Sequence, residues 1–167
     1  QPRRAAGEDH EDERLQGAVV MPGLIDCHNH FLRTALGWNR VQLAEATSIG
    51  EVLEAIGQRV QGTPPGQWVL CASRWHETNL AERCMPTAQE LDRVAPNHPV
   101  YLPRGGHVVV TNTQGLQMAG ITPNAPNPPG GEFVRDAAGR LTGMLLEPPA
   151  FSRLTRLLPA PTEADRR

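Results

Sequence analysis

Lysine is missing altogether. Every basic side chain other than histidine is arginine, and the 16 arginines nearly balance 18 carboxylates. With aromatic residues at only 4% of the chain, no basic stripe interleaves with stacking side chains, which argues against a nucleic-acid partner. Long apolar runs are missing too: none approaches the ~20 residues that span a bilayer, so no membrane partner is expected. Cysteine is scarce. Cys27, Cys71 and Cys84 are odd in number and scattered, the usage of a cytoplasmic protein with reduced thiols. The opening Gln1-Pro2-Arg3-Arg4 and the acids from Glu8 to Glu13 lack the apolar core of a secretory signal. The chain also lacks an initiating methionine, and a fragment is expected. Its 167 residues suffice for one ordinary domain with a real core.

What is present centres on Val19-Val20-Met21-Pro22-Gly23-Leu24-Ile25-Asp26-Cys27-His28-Asn29-His30. Side chains alternate faces along a β-strand, so Asp26, His28 and His30 would share one face and Cys27 and Asn29 the other. Two neutral imidazoles at the end of a strand can hold a divalent metal, most commonly Zn²⁺, with Mn or Fe as alternatives. A bare His-x-His pair is also common among ordinary surface and core histidines.

Elsewhere the pattern alternates helices and strands. Ser48 and Glu51 fit a capping box, and Val52, Leu53, Ile56 and Val60 recur at helical spacing, predicting a helix to about Gln61 that Gly62-Thr63-Pro64-Pro65-Gly66 stops. Residues 68–72 read as a buried strand. Thr87 and Glu90 form a second capping box for a short helix ending before Pro96. Residues 99–102 and 107–111 read as strands joined by a turn at 104–106. Asn112 or Thr113 caps a helix closed by Gly120. Residues 132–135 and 141–146 read as a hairpin, residues 150–158 as a helical turn or two, and Pro161 as the opening of another helix.

The Pro-Gly-Leu-Ile-Asp-Cys-His-Asn-His stretch resembles the first-strand signature of the metal-dependent amidohydrolase superfamily. Further ordered matches run through Pro64-Pro65-Gly66-Gln67-Trp68-Val69, Glu90-Leu91-Asp92-Arg93-Val94-Ala95-Pro96, Pro99 to His107, Ala119 to Pro123, and Gly143-Met144-Leu145-Leu146-Glu147. They are most similar to the amidohydrolase 3 branch that includes N-substituted formamide deformylases. The resemblance implies an α/β fold: an incomplete (β/α)₈ barrel, with the first strand plus an inserted α/β subdomain, in a chain too short for the ~250 residues of a full barrel. The implied divisions are a lead over 1–17 left from a β-sandwich, the first barrel strand and its loop over 18–46, the insert over 47–146, and a return toward the barrel over 147–167.

The resemblance also implies site roles. His28 and His30 are the metal ligands. Asp26 supports a ligand by hydrogen bond, or else bonds the backbone at the strand end. His107, after two glycines that permit close backbone approach, is a candidate on the substrate side or else makes a structural hydrogen bond. Trp75 is the other substrate-side candidate, although His76 replaces the acid usual in relatives. Glu147 anchors the return to the barrel. No catalytic residue is assignable, because the remaining ligands and the acid–base aspartate come from later strands in this family, and the bridging carboxylated lysine it often uses cannot be supplied here. The implied activity is hydrolysis of non-peptide C–N bonds in small amide- or formamide-type substrates by metal-activated water. Metal binding is expected to be weak or absent in this chain alone, which is then catalytically silent. The alternatives are a non-catalytic remnant, an interaction module or half of a split enzyme. An unpaired apolar strand would invite association, including a homo-oligomer.

Overall fold

The computed structural model describes residues 21–163. Its frame is a five-stranded sheet made of β1 (Val69–Leu70), β2 (Val100–Arg104), β3 (Val108–Val110), β4 (Glu132–Arg135) and β5 (Leu141–Leu146), in the spatial order β1-β2-β3-β5-β4. β1 runs parallel to β2 and the remaining neighbours are antiparallel. A single bridge from Val41 to Cys71 extends the β1 edge.

Alternation along the strands divides the core in two. Val100, Leu102 and Val110 face one side, with Val52 and Ile56 of α2 (Ile49–Gln61) and Leu91 of α3 (Ala88–Val94). Tyr101, Val109 and Leu145 face the other, with Leu116 of α4 (Thr113–Met118) and Ala150 and Leu154 of α5 (Glu147–Thr155). Leu91, Leu102, Leu145 and Leu154 are fully buried, each contributing about 1.5–3 kcal/mol relative to exposure. Helices on both faces explain why β2 is buried along nearly its whole length.

The elements predicted between Ser48 and Leu158 form, with local chemistry at several of their ends; at 161–163 no helix has begun. α2 starts where Ser48 Oγ accepts from the Glu51 amide at 3.2 Å. The Glu51 carboxylate, however, turns to the Thr47 amide at 2.6 Å, so the reciprocal half of the expected box shifts back by one residue. The box at α3 is complete: Thr87 Oγ1 accepts from the Glu90 amide, and the Glu90 carboxylate accepts from the Thr87 amide. Gly120, at φ +65°, follows α4, and the Ile121 amide returns to the Leu116 carbonyl at 2.9 Å. The β4–β5 hairpin carries a register shift between Phe133 and Arg135.

A buried polar knot joins the two core layers. Asn112 is fully buried. Its Oδ1 accepts from the amides of Val100 and Gly115, while its Nδ2 donates to the carbonyls of Ala95 and His98. Next to it, Thr111 Oγ1 donates to the Val100 carbonyl at 2.6 Å. One side chain therefore caps α4, ends the turn after α3 and holds the start of β2.

The first strand differs from expectation. Residues 21–30 carry no strand and are exposed throughout, and the chain then enters α1 (Phe31–Leu36). The reason is the absence of a partner: among the described residues none of the five strands runs beside this stretch, and a strand without a ladder leaves its backbone to water. The proposed strand's beginning, the lead over 1–17 and the end of the helix opening at Pro161 lie wholly or partly outside the described residues. No helix among the described residues is long and apolar enough to cross a membrane.

Candidate metal centre and cleft

Local turns, rather than strand parity, place the two histidines. Asp26 Oδ1 accepts from the His28 amide at 3.0 Å and Asn29 Oδ1 from the Phe31 amide at 3.1 Å, side-chain turns of the kind Asp and Asn form with backbone two residues on. Oδ1 of Asp26 thus makes the backbone hydrogen bond that was one of the two roles expected for it.

The imidazoles of His28 and His30 end up edge to face, 5.2 Å between ring centres with planes at 81°. Two imidazoles bound tetrahedrally to one Zn²⁺ through nitrogens at about 2.0–2.1 Å have ring centres roughly 5 Å apart. The pair matches that ring spacing, which is also that of an ordinary edge-to-face ring contact. The other corners of a tetrahedral site are not filled: among the described residues no group of three or more His, Cys, Asp or Glu is placed to hold an ion.

His28 and His30 lie on a cleft of about 510 Å³ that His107 also lines, together with Arg74, Gln42 and Trp38. Residues 77 and 79 apart in sequence thus line one cleft, because the turn between β2 and β3 brings Gly105, Gly106 and His107 to the segment around α1. Among the described residues no acidic side chain lines this cleft. His107 is gripped twice by Glu147: its Nδ1 stands 2.9 Å from Glu147 Oε2, and its carbonyl accepts from the Glu147 amide at 2.8 Å. Glu147 adopts φ +66°, a left-handed backbone uncommon for a residue with a β-carbon. With Nδ1 engaged, Nε2 is the ring nitrogen left for another partner.

Trp75 does not reach the cleft. It is 7% exposed, packs in the first core, and its indole N–H donates to the Pro103 carbonyl at 2.9 Å. A buried indole needs an acceptor, and the one it finds fixes it beneath β2 instead of facing a ligand. Beside it, Glu77 pairs with Arg104 at 2.8 Å. This ion pair and the Glu147–His107 clamp carried no sequence signal, since their partners are 27 and 40 residues apart.

Cys71 is buried at the β1 edge, and burial pushes its thiol up to about 12 against the opposing pull of Arg59 and Arg40. Cys27 and Cys84 are exposed.

Comparison with known proteins agrees with the fold and motifs. The profile of the amidohydrolase family matches residues 15–167. The chain is 39% identical over 148 residues to N-substituted formamide deformylase of Arthrobacter pascens, covering 87% of this chain and 27% of that protein. It is 35% identical over 138 residues to the putative amidohydrolase YtcJ of Bacillus subtilis, covering 82% and 26%. An uncharacterized metal-dependent hydrolase from Pyrococcus furiosus superposes on 82% of this chain and 25% of its own with a TM-score of 0.51 at 21% identity, a likeness of fold. The chain thus spans about a quarter of the length of these relatives. With the signature Pro22 to His30 inside the matched range and the α/β frame shared with metal-dependent hydrolases, this chain belongs to the amidohydrolase family.

Proposed function

We propose that the chain supplies part of the active cleft of a metal-dependent hydrolase acting on non-peptide C–N bonds in small amide- or formamide-type molecules. The observation that carries this is the placement of His28 and His30, with ring centres 5.2 Å apart, on one cleft with His107. The formamide deformylase name of one relative supports the bond type. A divalent ion, Zn²⁺ or alternatively Mn or Fe, when bound there supplies a Lewis acid for the carbonyl and a lowered pKa for water. This chain's own contributions are more limited. His28 and His30 offer ring nitrogens. His107, oriented by Glu147, presents its other ring nitrogen for a hydrogen bond to the substrate. The backbone from Gly105 to Gly106 forms the cleft wall without side chains.

Two ligands hold Zn²⁺ less tightly than the three protein ligands of a catalytic site, and no acid–base carboxylate lines the cleft. By itself the chain therefore binds metal weakly and is catalytically silent. In this reading residues 18–46 and 147–167 face the remainder of a barrel and residues 47–146 form an inserted subdomain. Calorimetric titration with Zn²⁺ tests the site: binding of one ion per chain, abolished in the His28→Ala, His30→Ala double variant, is expected. Binding unchanged in that variant overturns the assignment. Incubation with Zn²⁺ or Mn²⁺ and a panel of N-formyl and N-acyl amines should give no turnover; rapid hydrolysis refutes the silence.

A second reading, an interaction module or half of a split enzyme, is favoured by one observation. Leu24, Ile25, Phe31 and Trp38 are 93%, 86%, 79% and 77% exposed within one short stretch of sequence, and large apolar side chains joined into an exposed patch mark interaction sites. Light scattering across a concentration series tests it: growth in mass that Leu24→Asp and Ile25→Asp abolish supports association through this surface, and a constant monomer mass removes it.

A further inference from the structure

A second cavity, of about 320 Å³, adjoins the histidine cleft. Its walls are mainly apolar, from Tyr101, Pro103, Val109, Phe151 and Leu158, with the Arg40 side chain among them. The two cavities border each other at Gly37, Ser73, Gly105 and Gly106, which line both. Three glycines and a serine put no bulky side chain between them, and a β-carbon built on Gly105 would meet nothing within 4 Å.

Arg40 sits at this cavity without a carboxylate. Among the described residues none of the ion pairs includes it, and no acidic side chain lines either cavity. Arg40 is half-buried as a residue, and its neighbour Val41 bridges to Cys71 at the sheet edge. An unpaired guanidinium beside an apolar cavity is a preformed receptor for a planar monoanion, since its donor fork matches a carboxylate in two parallel hydrogen bonds. Arg40 also borders two other cavities that the second nearby arginine, Arg59, lines with it; Arg59 is absent from the apolar cavity and donates to the Asn39 carbonyl at 2.9 Å. Among the described residues Arg40 is thus the one cationic residue lining the apolar cavity, a single charge that suits a carboxylate better than a dianionic phosphate.

We propose that this cavity takes an apolar arm of the ligand ending in a carboxylate on Arg40, while the amide to be cleaved lies in the histidine cleft. The substrate class is then an N-acylated or N-formylated amine whose apolar chain carries a terminal carboxylate. This extension rests on the hydrolase reading given above, but the arm site itself binds without metal and is tested separately.

The test is an NMR titration of the full, isotope-labelled chain with 4-phenylbutyrate and with its neutral isostere 4-phenylbutyramide, in the absence of metal. Saturable shifts are expected at the amides of Ser73, Gly105, Gly106 and Val109, with the acid binding about tenfold more tightly than the amide, as a charge-assisted pair allows. Arg40→Gln should erase that preference and leave the weak amide binding. Arg40→Lys, which keeps the charge and loses the fork, should retain part of the preference and serves if the glutamine variant unfolds. Leu158→Trp, filling the cavity, should weaken both ligands. Shifts confined to other residues, equal affinity for acid and amide, or a preference that survives Arg40→Gln each overturn the proposal. Zn²⁺ titration of the same sample separates the two ideas: loss of zinc binding with acid binding intact sinks the hydrolase reading and supports the arm site, whereas zinc binding without acid binding sinks the arm site alone.

Discussion

Replacing Asn112 with aspartate changes two atoms' worth of chemistry at almost constant shape, so it isolates the polar knot from packing. In the native chain Oδ1 accepts from the Val100 and Gly115 amides at 3.1 Å each, and Nδ2 donates to the carbonyls of Ala95 at 3.1 Å and His98 at 2.9 Å. A carboxylate keeps the first pair and inverts the second, setting an anion against two carbonyl oxygens. Two donor bonds worth about 0.5–1.5 kcal/mol each disappear. A fully buried charge with no cation among its four partners adds a penalty of several kcal/mol unless it takes up a proton. The expected loss at neutral pH is about 4–5 kcal/mol, a large part of the ~5–15 kcal/mol available to a domain.

Asn112→Ala should cost about 3–4 kcal/mol, through the lost cap and the stranded Val100 amide, and so less than aspartate. Burial raises the folded-state pKa of the introduced acid above its unfolded value. The aspartate variant should then be closest to the native protein at low pH and lose stability as pH rises above the usual carboxylate range. Urea unfolding followed by circular dichroism across pH measures this: with a slope of about 2 kcal/mol/M, the midpoint should fall by about 2 M at pH 7. An aspartate variant within about 1 kcal/mol of the native protein, or one more stable than the alanine variant at neutral pH, would refute the placement of Asn112.

Three further outcomes follow. Gly143→Ala should lose about 2–4 kcal/mol, because φ is +90° and the new methyl meets the Thr111 carbonyl oxygen and Ala88; Gly139→Ala, at φ +77° but in open space, should lose only about 1 kcal/mol, and equal effects in thermal melts would contradict the packing. Thr87→Ala should cost about 1 kcal/mol by removing the α3 cap while Thr87→Ser stays near native, as denaturant midpoints will show. Cys27 and Cys84 should react quickly with a thiol reagent and Cys71 only on unfolding. Because the Cys71 pKa is raised from 9.0 to about 12, its contribution to stability is complete below pH 9 and declines as pH rises toward 12; a fast third thiol at pH 8 would be inconsistent with that burial.

The local elements were largely written in the sequence. Ser48, Thr87 and Asn112 announce helix starts because their side chains satisfy amides that no helix can satisfy for itself. The apolar runs Val100 to Leu102 and Val108 to Val110 announce strands, which the structure buries on both faces. The family was also legible, because the residues from Pro22 to His30 and the matches running to Glu147 are short, ordered and chemically specific. What only tertiary structure decided was which distant residues meet. The Glu147 clamp on His107, the Arg104–Glu77 pair and the bordering of the histidine cleft by the Arg40 cavity join residues through the sheet, not through spacing. Tertiary structure also settled the form of the opening motif. An alternating pattern specifies a strand only when another strand completes its hydrogen bonds, and beside Met21–His30 none is present among the described residues, so Asp26 and Asn29 bond their own backbone and the histidines reach the cleft from exposed turns.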